Sequence, residues 1–171
     1  MNSKYSKIAV IFIGIFLLNF VASKIYKRFD LTEDSRYTLS EATKSIVNNI
    51  DEIIVVKVYL QGDFPAEFKR LQIETKLHLE ELRALNKNIQ FRFINPIDSA
   101  QELIEQGLEP SRLQVEENGK LSEILIFPWA EITYKDKTEY ISLLKDIVTN
   151  SQDEQLESSI QNLEYAFTDA I

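Results

Sequence analysis

From Ile8 to Ala22 the chain is apolar or small at every position except Asn19, and no charge interrupts the run. Those roughly 15 residues would reach only ~22 Å as a helix, short of a ~30 Å hydrocarbon layer. The stretch from Tyr5 to Tyr26 reaches ~33 Å, and Lys7 and Lys24 can carry their ammonium heads outward to the interface. The pattern therefore predicts an N-terminal transmembrane helix anchored by Ile8, Phe12, Phe16 and Phe20. A cleaved signal peptide is the competing reading, with Ala22-Ser23 as the small-residue site. Phe20 stands where such a site wants a small residue, and Tyr26 and Lys27 read as interfacial anchors of an uncleaved segment.

Beyond Phe29–Tyr37, which has no clear period, apolar residues alternate between two spacings. Thr38 with Glu41 three residues on predicts a capping box, and Leu39, Ala42, Ile46 and Ile50 continue a helical stripe. Ile53 to Leu60 (IIVVKVYL) is a nearly unbroken β-branched and aromatic run, as in a central strand covered on both faces. Pro65 opens a long amphipathic helix marked by Phe68, Leu71, Leu82 and Leu85. Ile89, Phe91 and Phe93 alternate with Gln90 and Arg92 as a second strand, stopped by Asn95-Pro96. Ser99 and Glu102 then form a capping box for a short helix that Gly107 closes.

Two hairpins follow. Arg112–Glu117 and Ser122–Phe127 flank Asn118-Gly119, the strongest short turn signal, and Ala130–Tyr134 and Thr138–Leu144 flank Lys135-Asp136-Lys137. The last segment, Ser151–Ile171, opens on a Ser151–Glu154 capping box and repeats Leu156, Ile160, Leu163, Phe167 and Ala170 as one helix. No closing signal follows, so a continuation into a further domain is expected. This order predicts an α/β protein: an N-terminal transmembrane helix (1–28), a juxtamembrane connector and helix (29–50), a thioredoxin-like mixed-sheet domain without redox cysteines (51–150), and the start of a further helix (151–171).

Composition narrows the chemistry. There is no Cys, one His and only four Gly in 171 residues, which excludes thiol catalysis, redox dithiols and Cys-ligated zinc. The net charge is -8, from 19 basic and 27 acidic residues. Lys4, Lys7, Lys24, Lys27 and Arg28 all precede residue 29 and no acid does, so the remainder carries 14 basic against 27 acidic groups, or -13. A body of that charge repels phosphate backbones, and no nucleic-acid partner is expected.

Few residues look catalytic. Gly119-Lys120 is followed by Leu121 rather than a hydroxyl, so it reads as a turn and not as a phosphate loop. His78 lies on the stripe between Leu71 and Leu82 and reads as a packed residue; Glu74 and Glu81, one turn away, read as solvated charge rather than metal ligands. Adjacent acids such as Glu80-Glu81 and Glu116-Glu117 point to different sides and read as surface charge. Phe127, Pro128 and Trp129 fit a partner surface or core packing equally well. Ligands of open α/β sheets sit beyond the carboxyl ends of parallel strands. That rule makes Asp63, Phe64, Asn95 and Asp98 a candidate ligand or partner crevice, against the plainer reading that Pro65 and Pro96 merely shape two loops. No catalytic residue, metal or cofactor is expected.

Phe29–Lys44 (FDLTEDSRYTLSEATK) and Leu113–Leu144 (LQVEENGKLSEILIFPWAEITYKDKTEYISLL) resemble a known family. The chain is similar, over nearly its whole length, to the N-terminal part of the gliding-motility-associated ABC transporter accessory proteins, GldG, often labelled substrate-binding. The resemblance implies a non-catalytic subunit held in the bacterial inner membrane with its soluble part in the periplasm, beside an ABC permease and an ABC ATPase. It also implies a second α/β domain and a C-terminal membrane helix further on. The alternative is an extracytoplasmic solute- or ligand-binding module that uses the crevice between Asp63 and Asp98.

Overall fold

The computed structural model describes residues 12–16, 19, 39–117, 120–147 and 151–171. The chain divides into two compact units, residues 1–35 and 36–171. In the first, residues 12–16 and 19 are helical, and Phe12 and Phe16 are 70% and 72% exposed. Among the described residues no helix is long and apolar enough to cross a membrane. This corrects the expectation of an N-terminal transmembrane helix ahead of a thioredoxin-like domain. The described helical positions of the apolar run are 12–16 and 19, fewer than the ~20 residues a span requires. Ile8 and Phe20 lie outside the described residues. What stands is a mixed α/β architecture built on a four-stranded mixed sheet.

The second unit begins with α1 (Glu41–Asn48), whose cap is Ser40: its Oγ accepts the Thr43 N–H at 3.2 Å. Thr38, the expected cap, lies outside the described residues. β1 (Ile54–Val58) follows, with Ile54, Val56 and Val58 fully buried and Val55 and Lys57 half-buried. The strand is central, yet only one of its faces is fully covered, contrary to the expectation for so apolar a run. The crossover is α2 (Ala66–Leu85), which buries Phe68, Leu71, Thr75, Leu79 and Leu82 at three- and four-residue spacing and leaves Leu85 exposed. β2 (Ile89–Phe93) then pairs parallel with β1, from Ile54↔Ile89 to Val58↔Phe93.

A short 3₁₀ turn, Ile97–Ser99, runs directly into α3 (Ala100–Glu105). Ser99 is consequently not extended, and it makes no side-chain cap hydrogen bond, so the expected capping box does not form there. Gly107 does close this helix, with φ 88° and its N–H on the Ile104 carbonyl at 2.9 Å. β3 (Ser111–Glu117) and β4 (Lys120–Ile126) pair with each other as a separate two-stranded sheet, so the first expected hairpin forms; residues 118–119 lie outside the described ones. Its base is tied to the body, because Leu113 and Ile124 pack against the core and Ile126 is fully buried.

The second hairpin joins β5 (Trp129–Tyr134) to β6 (Lys137–Ser142). Lys135 supplies the positive φ of 55° that glycine usually provides in so tight a turn. β5 lies antiparallel beside β1, and the sheet order is β2-β1-β5-β6. The chain then forms two helices where one is expected, α4 (Gln152–Gln161) and α5 (Leu163–Ala170), broken at Asn162. The Ser151 cap forms, accepting the Glu154 N–H at 3.4 Å.

Helices α1, α2, α4 and α5 share one core with the buried face of the sheet, through Val47, Leu71, Leu79, Leu156, Leu163 and Phe167 against Ile54, Val56 and Ile132. Glu164 on α5 fastens α1 by accepting the Ser40 N–H at 2.8 Å and the Thr43 hydroxyl at 2.5 Å. The opposite face has only a small cluster at one end, formed by Tyr59, Leu103, Leu108 and Phe127. The rest of that face is open, and its polar side chains define the site.

Candidate functional site

β1 and β2 run parallel, so their carboxyl ends, Val58 and Phe93, open on the same end of the sheet. The segments leaving there carry the four residues singled out in the sequence. Gly62 has φ 155°, and a Cβ at that position would sit 3.3 Å from Cε1 of the Phe64 ring. Phe64 itself packs on the main core. Asn95 uses its Oδ1 to accept the Ile97 N–H at 3.2 Å, which shapes its own loop. Asp63 and Asp98 are exposed carboxylates. No hydrogen bond or ion pair links any two of the four among the described residues, and no group of three His, Cys, Asp or Glu there could hold a metal ion. Gly62→Ala is expected to cost about 1–3 kcal/mol, because the backbone conformation and the Phe64 ring both oppose a side chain. Chemical denaturation of the variant measures this.

The densest polar arrangement lies just below this end, on the open sheet face. Alternation along each strand puts Val55 and Lys57 of β1, Gln90 and Arg92 of β2, Glu131 and Thr133 of β5, and Thr138 and Tyr140 of β6 on that face. The register makes Arg92, Lys57, Glu131 and Tyr140 one continuous row across four strands. Glu131 is only 8% exposed. Lys57 Nζ donates to its Oε1 at 2.6 Å and the Tyr59 hydroxyl donates to its Oε2 at 2.5 Å. Both carboxylate oxygens are thereby satisfied, as a buried charge requires.

The titration behaviour follows from this geometry. Burial pushes Glu131 up, but the hydrogen bonds from Lys57 and Tyr59 outweigh it and hold the carboxyl below its ordinary value. Burial, followed by the hydrogen bond to Glu131, drives Tyr59 far above the ordinary phenol value. At neutral pH the Tyr59 hydroxyl donates and the Glu131 carboxylate accepts. The exposed ends of the row differ: the Tyr140 hydroxyl donates to Gln106 Oε1 at 3.3 Å, while Arg92 makes no ion pair among the described residues.

Two further sequence candidates resolve here. Phe127 is buried, and the Trp129 indole N–H donates to the Glu109 carbonyl at 2.9 Å, so this pair belongs to packing. His78 sits on α2 with its ring centroid 5.7 Å from that of Phe167. The residue is half-buried, but Nε2 is shut away without a hydrogen-bond partner, as is Thr75 Oγ1. Burial lowers the imidazole to about 4 although Glu164 opposes the shift. The cavity of about 520 Å³ lined by Phe12, Ile13, Ile15, Phe16 and Asn19 belongs to the N-terminal stretch and is lined by no titratable side chain.

The Lys57–Glu131–Tyr59 network is absent from the sequence reading. The one available signal was Lys57 itself, a charge inside an apolar strand, and its partner lies 74 residues away on a strand whose register the sequence does not state. Residues 33–133 match the model of a family described as Domain of unknown function (DUF7088). Searches of the curated proteins and of the solved structures found no match.

Proposed function

The chain belongs to the DUF7088 family, whose function is undefined, and from that premise we propose that it is a non-catalytic accessory subunit of an ABC transport complex associated with gliding motility. It works at the bacterial inner membrane, on the periplasmic side, beside a permease and a separate ATPase. The resemblance carried by Phe29–Lys44 and Leu113–Leu144 supports this choice of partners. The observation that carries the non-catalytic part is the Lys57–Glu131–Tyr59 network. Acid–base catalysis needs a group poised near the working pH, whereas here the phenol is driven up and the carboxyl held down. Each group is locked to the other, which suits a rigid contact surface better than a proton relay.

The test is purification of the tagged full-length chain from its own cells in mild detergent. An ABC permease and an ABC ATPase are the expected companions, identified by mass spectrometry. Their absence, together with a rise in the melting temperature of the chain on adding small solutes, would contradict the proposal and favour a ligand-binding module at Asp63 and Asp98.

A further inference from the structure

The open sheet face carries an electrostatic imbalance. Arg92 and Lys57 are direct cross-strand partners, an arrangement of like charges that destabilises a sheet unless an anion sits nearby. The single acid in the row is Glu131, and its two oxygens are already taken by Lys57 and Tyr59. Arg92 is exposed and has no ion pair among the described residues. The other members of this face, Val55, Gln90, Thr133, Thr138 and Tyr140, carry no formal charge. The row itself therefore carries one more positive than negative charge, and Arg92, which acts on Glu131 only through space, keeps its guanidinium donors out of any ion pair among the described residues.

We infer that this face, along the row Arg92, Lys57, Glu131 and Tyr140, docks a partner polypeptide that presents an Asp or Glu carboxylate to the Arg92 guanidinium. The inference rests on the accessory-subunit reading and names the surface that reading needs. Arginine can take a carboxylate through two parallel N–H donors. Tyr140, 37% exposed, is the second anchor; tyrosine and arginine are the residue types that dominate contact energies. The fixed Lys57–Glu131–Tyr59 network beneath them lowers the ordering cost of binding. The acidic remainder of the body repels a carboxylate-bearing partner elsewhere, so charge complementarity selects this face. The same acidity disfavours a nucleic acid.

The test uses the full-length chain in its own cells. A photoreactive p-benzoylphenylalanine replaces Thr138 on the open face in one strain and Ile73 on the exposed side of α2 in another. A second arm compares Arg92→Glu with the unaltered chain in detergent co-purification at low and high salt. The expected results are a crosslink from position 138 to an acidic periplasmic segment of the permease, and at least ~10-fold lower recovery of the permease with Arg92→Glu. Recovery by the unaltered chain should also fall with salt. The melting temperature of Arg92→Glu should be unchanged or raised, since the new carboxylate faces Lys57, which separates lost docking from misfolding. Crosslinks from position 73 alone, with recovery unaffected by Arg92→Glu, would overturn the inference and leave the accessory-subunit reading intact. A crosslink from position 138 to a second copy of this chain or to nucleic acid would also overturn it. Recovery of neither transporter subunit by the unaltered chain would overturn both.

Discussion

Replacing Glu131 by leucine is expected to lower the unfolding free energy by about 3 kcal/mol. The variant would strand the Lys57 ammonium and the Tyr59 hydroxyl, which now share one buried carboxylate at 2.6 and 2.5 Å. Breaking a buried ion pair by removing one partner costs about 3–5 kcal/mol. The Lys57 side chain retains 29% of its exposure and can turn partly toward water, which places the effect at the lower end. The double variant Lys57→Met, Glu131→Leu should recover part of the loss, because no unpaired charge remains and the two apolar side chains fill the same space. Urea unfolding of the two single variants and the double variant closes the cycle. A Glu131→Leu variant within about 1 kcal/mol of the parent would show that the network is not the structural centre of this face.

The second large effect concerns pH. Between pH 7 and pH 4 the folded protein should lose about 3 kcal/mol through His78 alone. In the unfolded chain the imidazole takes up its proton near 6.5, whereas in the fold it resists until about 4. Within that window the unfolded state binds more protons, so stability rises with pH and falls on acidification. The cause is burial: Nε2 is shut from solvent between α2 and α5 and has no hydrogen-bond partner, which penalises the charged form. Glu164 moderates the loss, since its carboxylate favours the imidazolium.

Glu131 and Glu164 have the carboxylate sign. Burial raises each, but hydrogen bonds win and hold both below the ordinary value. Their contributions are complete above the unfolded carboxylate range and disappear as pH falls through the lowered folded values. His78→Leu should therefore flatten the curve between pH 7 and about 4.5 while leaving the steeper acid limb below it. It should also raise stability near pH 5 by removing a buried polar atom that has no partner. Thermal melts of both proteins across that range measure this, and an unchanged slope in His78→Leu would assign the loss to other groups.

Much of the body was legible because local patterns agreed with their tertiary setting. Ile54–Val58 within the run IIVVKVYL does form the central strand, Ser111–Glu117 and Lys120–Ile126 do pair as the first expected hairpin, and Ser151 does cap the helix after it. Where the reading failed, a neighbour intervened. Ser99 does not cap because the preceding 3₁₀ turn feeds straight into the helix. The final helix breaks at Asn162, whose N–H bridges back to the Ser158 and Ser159 carbonyls at 3.1 Å. The apolar N-terminal run suggested a span, whereas among the described residues no helix is long and apolar enough to cross a membrane.

The polar face was less legible for a related reason. Alternation places Lys57, Glu131 and Arg92 on some face of some strand, whereas the row they share depends on register among three strands far apart in sequence. The four crevice residues were found by a topological rule, which locates a place but not a contact. Phe64 turned out to be packed and Asn95 to be folding its own loop, leaving Asp63 and Asp98 exposed.

The most direct measurement is a binding titration of the purified full-length chain against the detergent-solubilised permease–ATPase pair, followed by fluorescence at low and high salt. Saturable binding that weakens as salt rises is the expected result for an accessory subunit that docks through charge on its open sheet face. No binding at any salt concentration, with the chain instead stabilised against heat by a small solute, would contradict it.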